Sequence, residues 1–222
     1  MGRNYKKQFP TQGDLAHEQL RRRGIPDWSD VQKAIRVRLA KLVPDGRKAF
    51  AVACAEQLMA AHEHVSPEEQ RPFTLRWRPV LDAIWRALAG ETEHARTVVQ
   101  ALRAFHEGEY DHALGQDGPD DADHDPAAAS IYAGECYRAG DVDNAFWASG
   151  RVVDSAFRSA GDALNLDPDD FEWDPNAEPP MPLVREAMHP AVQGALARQL
   201  SDLGRLEREG VTPTVLHYLR AR

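Results

Sequence analysis

The chain predicts an all-α fold, a single helical bundle of about seven to nine helices with two long acidic loops, on three observations. Apolar residues recur at intervals of three and four along most of its length, the spacing that gathers them on one face of an α-helix. No segment sustains the period-two alternation, bounded by hairpin turns, that marks strands. Proline, aspartate, threonine and glycine stand at the ends of the periodic segments, where helices start and stop. A length of 222 residues suffices for one substantial core, read here as a basic N-terminal helical arm over residues 1–43 and an all-helical domain over residues 44–222.

Each element has its own signal. In the arm, Leu15 and Leu20 suggest a short helix and Gly24-Ile25-Pro26-Asp27 a break. Val31, Ile35, Leu39 and Leu42 then form a helix able to pack on the body. Pro44-Asp45 opens the next helix, with Phe50, Cys54, Leu58, Ala61 and Val65 on one face and Ser66-Pro67 at its close. Val80, Leu81, Ile84, Trp85 and Leu88 repeat the pattern; Pro79 is tolerated only in a first turn, so this helix starts near Arg78, and Gly90 ends it. Glu91 and Glu93 sit where a helix N-terminus favours anions, ahead of Ala95, Val98, Val99, Leu102 and Phe105.

Pro126 opens a helix with Ala129, Ile131, Tyr132 and Cys136, ended by Ala139-Gly140. Asp141 caps a long helix through Val142, Phe146, Val153, Phe157, Ala160 and Leu164, whose alanines allow close approach and which is expected at the centre. From Pro190, Val192, Leu196, Leu200, Leu203 and Leu206 point inward as far as Gly210, and Thr212-Pro213 starts a last helix with Val215, Leu216 and Leu219. Trp85, Phe146 and Leu200 are expected in a common core.

Charge is distributed unevenly. Residues 1–48 carry twelve Lys/Arg against five Asp/Glu, leaving 15 bases against 30 acids in the remainder. Residues 107–125 hold eight carboxylates and residues 162–178 seven, with no lysine or arginine in either stretch. Such uncompensated charge repels itself and is retained most readily where something positive meets it. The candidate partner-binding residues are therefore Asp120, Asp121, Asp123 and Asp125 in the first stretch, and Asp169, Asp170, Phe171, Glu172, Trp173 and Asp174 in the second. Tryptophan flanked by charge has the composition of a binding hot spot. The competing reading makes the stretches solvated loops and folds Phe171 and Trp173 back as plugs of the bundle.

Motifs for other chemistry are missing. Asp121, Asp123 and Asp125 alternate as calcium-loop ligands do, but Pro126 stands where that loop needs glycine and Tyr132 where it needs a bidentate glutamate. His62 and His64 are two apart, which on a helix directs them away from each other, so no metal site is expected. Cys54 and Cys136 belong to no CxxC pair and read as buried apolar residues. No GxSxG, P-loop, GxGxxG or HExxH motif occurs, and no cofactor is expected. Asp82, Asp154 and Asp202 could meet across a bundle as general acid and base, which keeps a helical enzyme open as an alternative. Pairing with Arg151 and Arg198 is the structural reading of the same residues. Arg21-Arg22-Arg23 keeps a nucleic-acid-associated factor as a further alternative. No apolar stretch approaches the length needed to cross a bilayer and the start has no signal core, so a cytoplasmic protein is expected.

Ala49-Phe50-Ala51-Val52-Ala53-Cys54-Ala55-Glu56-Gln57-Leu58 followed by Val80-Leu81-Asp82-Ala83-Ile84-Trp85 resembles the opening of a bacterial all-helical family of unknown function, related to the immunity proteins of polymorphic toxin systems. Ala127 to Tyr137 resembles that family's alanine-rich middle helix, Ala145-Phe146-Trp147-Ala148 through Asp154-Ser155-Ala156 its long helix, and His189-Pro190 through Leu203 its closing helix. The resemblance spans roughly residues 45–220 and implies a protein that binds and neutralises a cognate toxin. Nucleases present basic clefts, so a nuclease is the toxin class that an acidic surface fits.

Overall fold

The computed structural model describes residues 12–109, 125–165 and 182–221. It is all-α, and no strand occurs among the described residues. Nine of its helices have eight residues or more: α1 (Gln12–Arg22), α2 (Trp28–Lys41), α3 (Pro44–Glu63), α5 (Arg78–Leu88), α6 (Ala95–Ala104), α7 (Asp125–Ala139), α8 (Val142–Leu164), α10 (Pro190–Glu209) and α11 (Pro213–Arg220). Two short helices, α4 (Pro72–Leu75) and α9 (Pro182–Met188), were not signalled by periodicity, since a helix of one or two turns completes too few repeats to show one.

The chain ends its helices where local chemistry dictates. Asp27, Asp141 and Thr212 accept hydrogen bonds from the amides of Ser29, Asn144 and Val215, satisfying donors that a first turn leaves open. Gly140 closes α7 with φ of +67°, and a Cβ there would lie 2.9 Å from Cβ of Pro44. It is thus required both by its left-handed conformation and by the close approach of the α3 N-terminus.

The centre of the bundle differs from the expectation. From Ala49 to Glu56 every residue of α3 is buried, and α3 packs on α5, α7, α8, α10 and α11. Small side chains let neighbours close on all its sides. Ala61 and Val65, expected on its inward face, are exposed, and at this end Met59 and His62 are the residues turned inward. The helix α8, expected at the centre, packs on α2, α3, α7, α9 and α10 along one side and keeps Asp143, Trp147 and Asp154 in solvent on the other. Trp85 is buried in the main core, whereas Phe146 and Leu200 pack against it only partly buried.

The N-terminal segment is fastened to the body. Ile35 and Leu39 of α2 are fully buried in the core shared with α3, α7 and α8. Arg38 donates to both carboxylate oxygens of Glu207 at 2.8 and 2.7 Å. Arg47 donates to the carbonyls of Leu39, Ala40 and Gly140 at 2.9, 3.1 and 3.0 Å, so one guanidinium joins the end of α2 to the turn between α7 and α8. In α1, Arg21 and Arg22 pair with Glu18 at 3.8 and 3.0 Å on the helix surface. No helix of the described residues is long and apolar enough to cross a membrane.

Candidate partner-binding clefts

One network of partly and fully buried charges lies between α3 and α5. Arg78 donates to Oε1 and Oε2 of Glu56 at 2.7 and 2.6 Å, and the Trp85 indole donates to Oε2 at 2.8 Å. Arg78 also pairs with Asp82 at 3.1 Å, and Arg220 of α11 reaches the same Asp82. Burial alone would push the Glu56 carboxyl up. The hydrogen bonds and charge of Arg78, with the Trp85 indole, more than reverse this and hold it below the usual carboxylate range. Both oxygens of Glu56 are engaged, so the group serves as a fixed acceptor for three donors. Asp154 and Asp202 lie 3.9 Å from Arg151 and Arg198 respectively, the pairing that the structural reading anticipates.

Cys54 and Cys136 are buried free thiols. Burial and the Asp202 carboxylate push Cys54 far up, and burial with Asp141 pushes Cys136 up to about 12. His62 is buried and accepts from the Arg71 amide at 2.9 Å, while His64 is exposed. Among the described residues, Glu91, Glu93 and His94 are the group close enough to share a cation. The two glutamates are exposed and His94 already pairs with Glu91 at 3.2 Å.

Two clefts lie on different faces of α8. The first, of about 370 Å³, opens between α3 and α8 and is lined by Val65, Glu69, Asp125, Arg158 and Asp162. Asp125 and Arg158 neutralise each other at 2.7 Å, with Arg151 at 3.8 Å from the same carboxylate, leaving Glu69 and Asp162 to set a negative sign. The second, of about 600 Å³, runs between α2 and α8, with Leu183 of α9 beside it. Its walls are Trp28, Phe146, Trp147 and Phe157, and its charged lining is Lys33, Arg36, Arg151 and Asp154. Arg36 lies over the Phe146 ring at 5.1 Å and pairs with Asp143; Trp28 meets Phe157 edge-on at 5.4 Å. Trp147 leans on Tyr132 with ring centroids 5.4 Å apart, yet remains 46% exposed.

Of the residues expected at a partner surface, Asp120, Asp121, Asp123, Asp169, Asp170, Phe171, Glu172, Trp173 and Asp174 lie outside the described residues. Asp125 is the one candidate that lies among the described residues. It is 9% exposed and held by Arg158 and Arg151 at the first residue of α7, where the helix dipole also favours an anion. Its arginine partners stand 26 and 33 residues further along the chain, so a stretch free of bases in sequence is not free of them in space. The aromatic cleft was not anticipated. One signal was present: Trp147 directly follows the inward-facing Phe146, a position that the helical period turns away from the core. No family model, curated protein or solved structure was found to match this chain.

Proposed function

We propose that this protein is an immunity-type inhibitor that binds a cognate toxin one to one, without catalysis or cofactor, and that the toxin is a basic nuclease. The observation that carries the reading is the acidic cleft between α3 and α8. There Asp125, the last carboxylate of the first base-free stretch, is tied to Arg158, the residue that precedes the second. Asp125 ends the first stretch and Asp162 begins the second, and both line this cleft, with Glu69 as its remaining carboxylate. Unneutralised carboxylates at Glu69 and Asp162 steer a basic partner into encounter, and carboxylates seated in a phosphate-binding cleft exclude its substrate. The resemblance of residues 45–220 to helical relatives of immunity proteins supports the same reading.

The test is to look for a secreted-toxin gene adjoining this one, to express any such toxin with and without the present chain, and then to measure complex formation with purified proteins. Protection of the cells and a one-to-one complex are expected. Glu69→Gln with Asp162→Asn should slow association severalfold at low salt and leave dissociation nearly unchanged, because exposed charge accelerates encounter more than it holds a complex. Absence of both protection and complex formation rejects the reading; association at the wild-type rate rejects the acidic cleft as the steering surface.

A further inference from the structure

We propose that His62 is a proton-operated latch in the wall of the acidic cleft between α3 and α8, which on acidification loosens that wall and lessens the negative charge of the cleft. The use of the latch, to regulate partner binding, rests on the toxin-binding reading; the latch itself rests on the geometry of one imidazole. His62 is 4% exposed and lines the cleft. Its Nε2 accepts a hydrogen bond from the Arg71 amide at 2.9 Å. A backbone amide is only a donor, so Nε2 holds a lone pair and the ring is in its neutral form, with the proton on Nδ1.

This bond closes the connection between α3 and α4. Within it, Gln70 donates from Nε2 to the carbonyls of Glu63 and Val65, both at 3.1 Å, and Ser66 donates from its amide and its hydroxyl to Glu69 at 3.2 and 2.8 Å. Val65 and Glu69 form one wall of the cleft, so the fastening at Arg71 fixes where that wall stands. A second proton on the ring reverses the chemistry of the bond. Nε2 becomes a donor facing another donor, and the Arg71 amide loses its acceptor. Histidine changes charge between about pH 5 and 8, whereas Gln70 and Ser66 do not titrate. His64 provides the contrast, because its Nδ1 donates to the Ala60 carbonyl and a second proton leaves that bond intact.

The charged groups around His62 are Glu63 on α3, which turns to Arg78 of α5 at 3.8 Å, Glu69 and Arg71 in the connection, Asp125 of α7, and Arg158 and Asp162 of α8. The three carboxylates of the lining and Arg158 give the cleft a charge of −2, which an imidazolium changes to −1. Acidification therefore acts twice in one direction: it frees the wall that carries Glu69, and it halves the charge that steers a basic partner.

The test uses the full chain labelled with 15N and needs no partner. At about pH 7.5, long-range imidazole correlations should show His62 protonated at Nδ1 and bare at Nε2. As His62 gains its second proton towards about pH 5.5, protection of the Arg71 amide against hydrogen exchange, corrected for the intrinsic effect of pH, should fall at least tenfold, while Ala53 in the middle of α3 keeps its protection. His62→Gln, whose Oε1 accepts from the amide but does not titrate, should abolish this dependence, and His64→Gln should preserve it. An Nε2-protonated tautomer at the higher pH, or Arg71 protection that does not follow the His62 titration, would overturn the latch whether or not the variants fold. The same loss of protection in His62→Gln would overturn it as well. With a cognate toxin in hand, association at about pH 5.5 should be at least threefold slower than at about pH 7.5 for the wild type and less slowed for His62→Gln. Equal slowing in both would overturn the regulatory use of the latch, while absence of any complex would reject the toxin-binding reading alone.

Discussion

Replacing Glu56 by glutamine keeps the volume of the side chain and removes its charge, and it tests whether the network between α3 and α5 holds the bundle together. The carboxylate is 8% exposed and accepts from Arg78 twice and from Trp85 once, at 2.6 to 2.8 Å. Glutamine offers one acceptor oxygen and an NH2 group, so at least one of these donors must face another donor. Breaking a buried ion pair by removing one partner costs about 3–5 kcal/mol. Here Arg78 retains Asp82 at 3.1 Å and Glu63 at 3.8 Å, so its charge is not stranded, and about 2–3 kcal/mol is the expected loss. Urea unfolding at neutral pH measures it. A loss below about 0.5 kcal/mol, the range of ordinary surface substitutions, would refute the reasoning.

The same variant carries a pH signature. The folded state holds the Glu56 carboxyl below its ordinary value, because Arg78 and the Trp85 indole outweigh burial. The fold therefore favours the ionised form. The ionic part of its stabilisation is fully present above the unfolded value of about 4.3 and is lost as pH falls through the lower folded value. The stability gap between wild type and Glu56→Gln should narrow on acidification through that window. A gap constant with pH would show that charge contributes nothing there.

Two other substitutions and reactions probe the core. Gly140→Ala, which combines a left-handed backbone with a Cβ 2.9 Å from Pro44, should destabilise by about 2 kcal/mol or more. Gly24→Ala, left-handed but facing open space, should lose about 1 kcal/mol, and equal losses in urea unfolding would refute the close-approach argument. Cys54 and Cys136, buried with their thiols pushed up, should react with a thiol reagent only as fast as the protein unfolds; rapid labelling of both under native conditions would contradict their burial.

The bundle was legible in the sequence because helix formation is written in short intervals. The starts at Pro44, Arg78, Pro190 and Pro213 and the caps Asp141 and Thr212 involve residues within a turn of one another, and each is found where the local pattern puts it. Burial along α3 was misread for the complementary reason. An alanine-rich helix has an apolar face in sequence whether neighbours cover one side of it or all sides, and only the packing of α5, α7, α8, α10 and α11 made it the centre. Side-chain partners across the fold were equally hidden: Glu56 meets Arg78 and Trp85, 22 and 29 positions away, and Asp125 meets Arg158 at 33. The aromatic cleft depends on α2 lying along α8, more than a hundred residues apart, with Arg36 brought over Phe146. The sequence by itself determined which of the longer segments are helical and where they begin, since those are local free-energy choices. The tertiary structure alone decided which charges neutralise one another and which aromatic rings share a cleft, since those depend on distances that chain order does not encode.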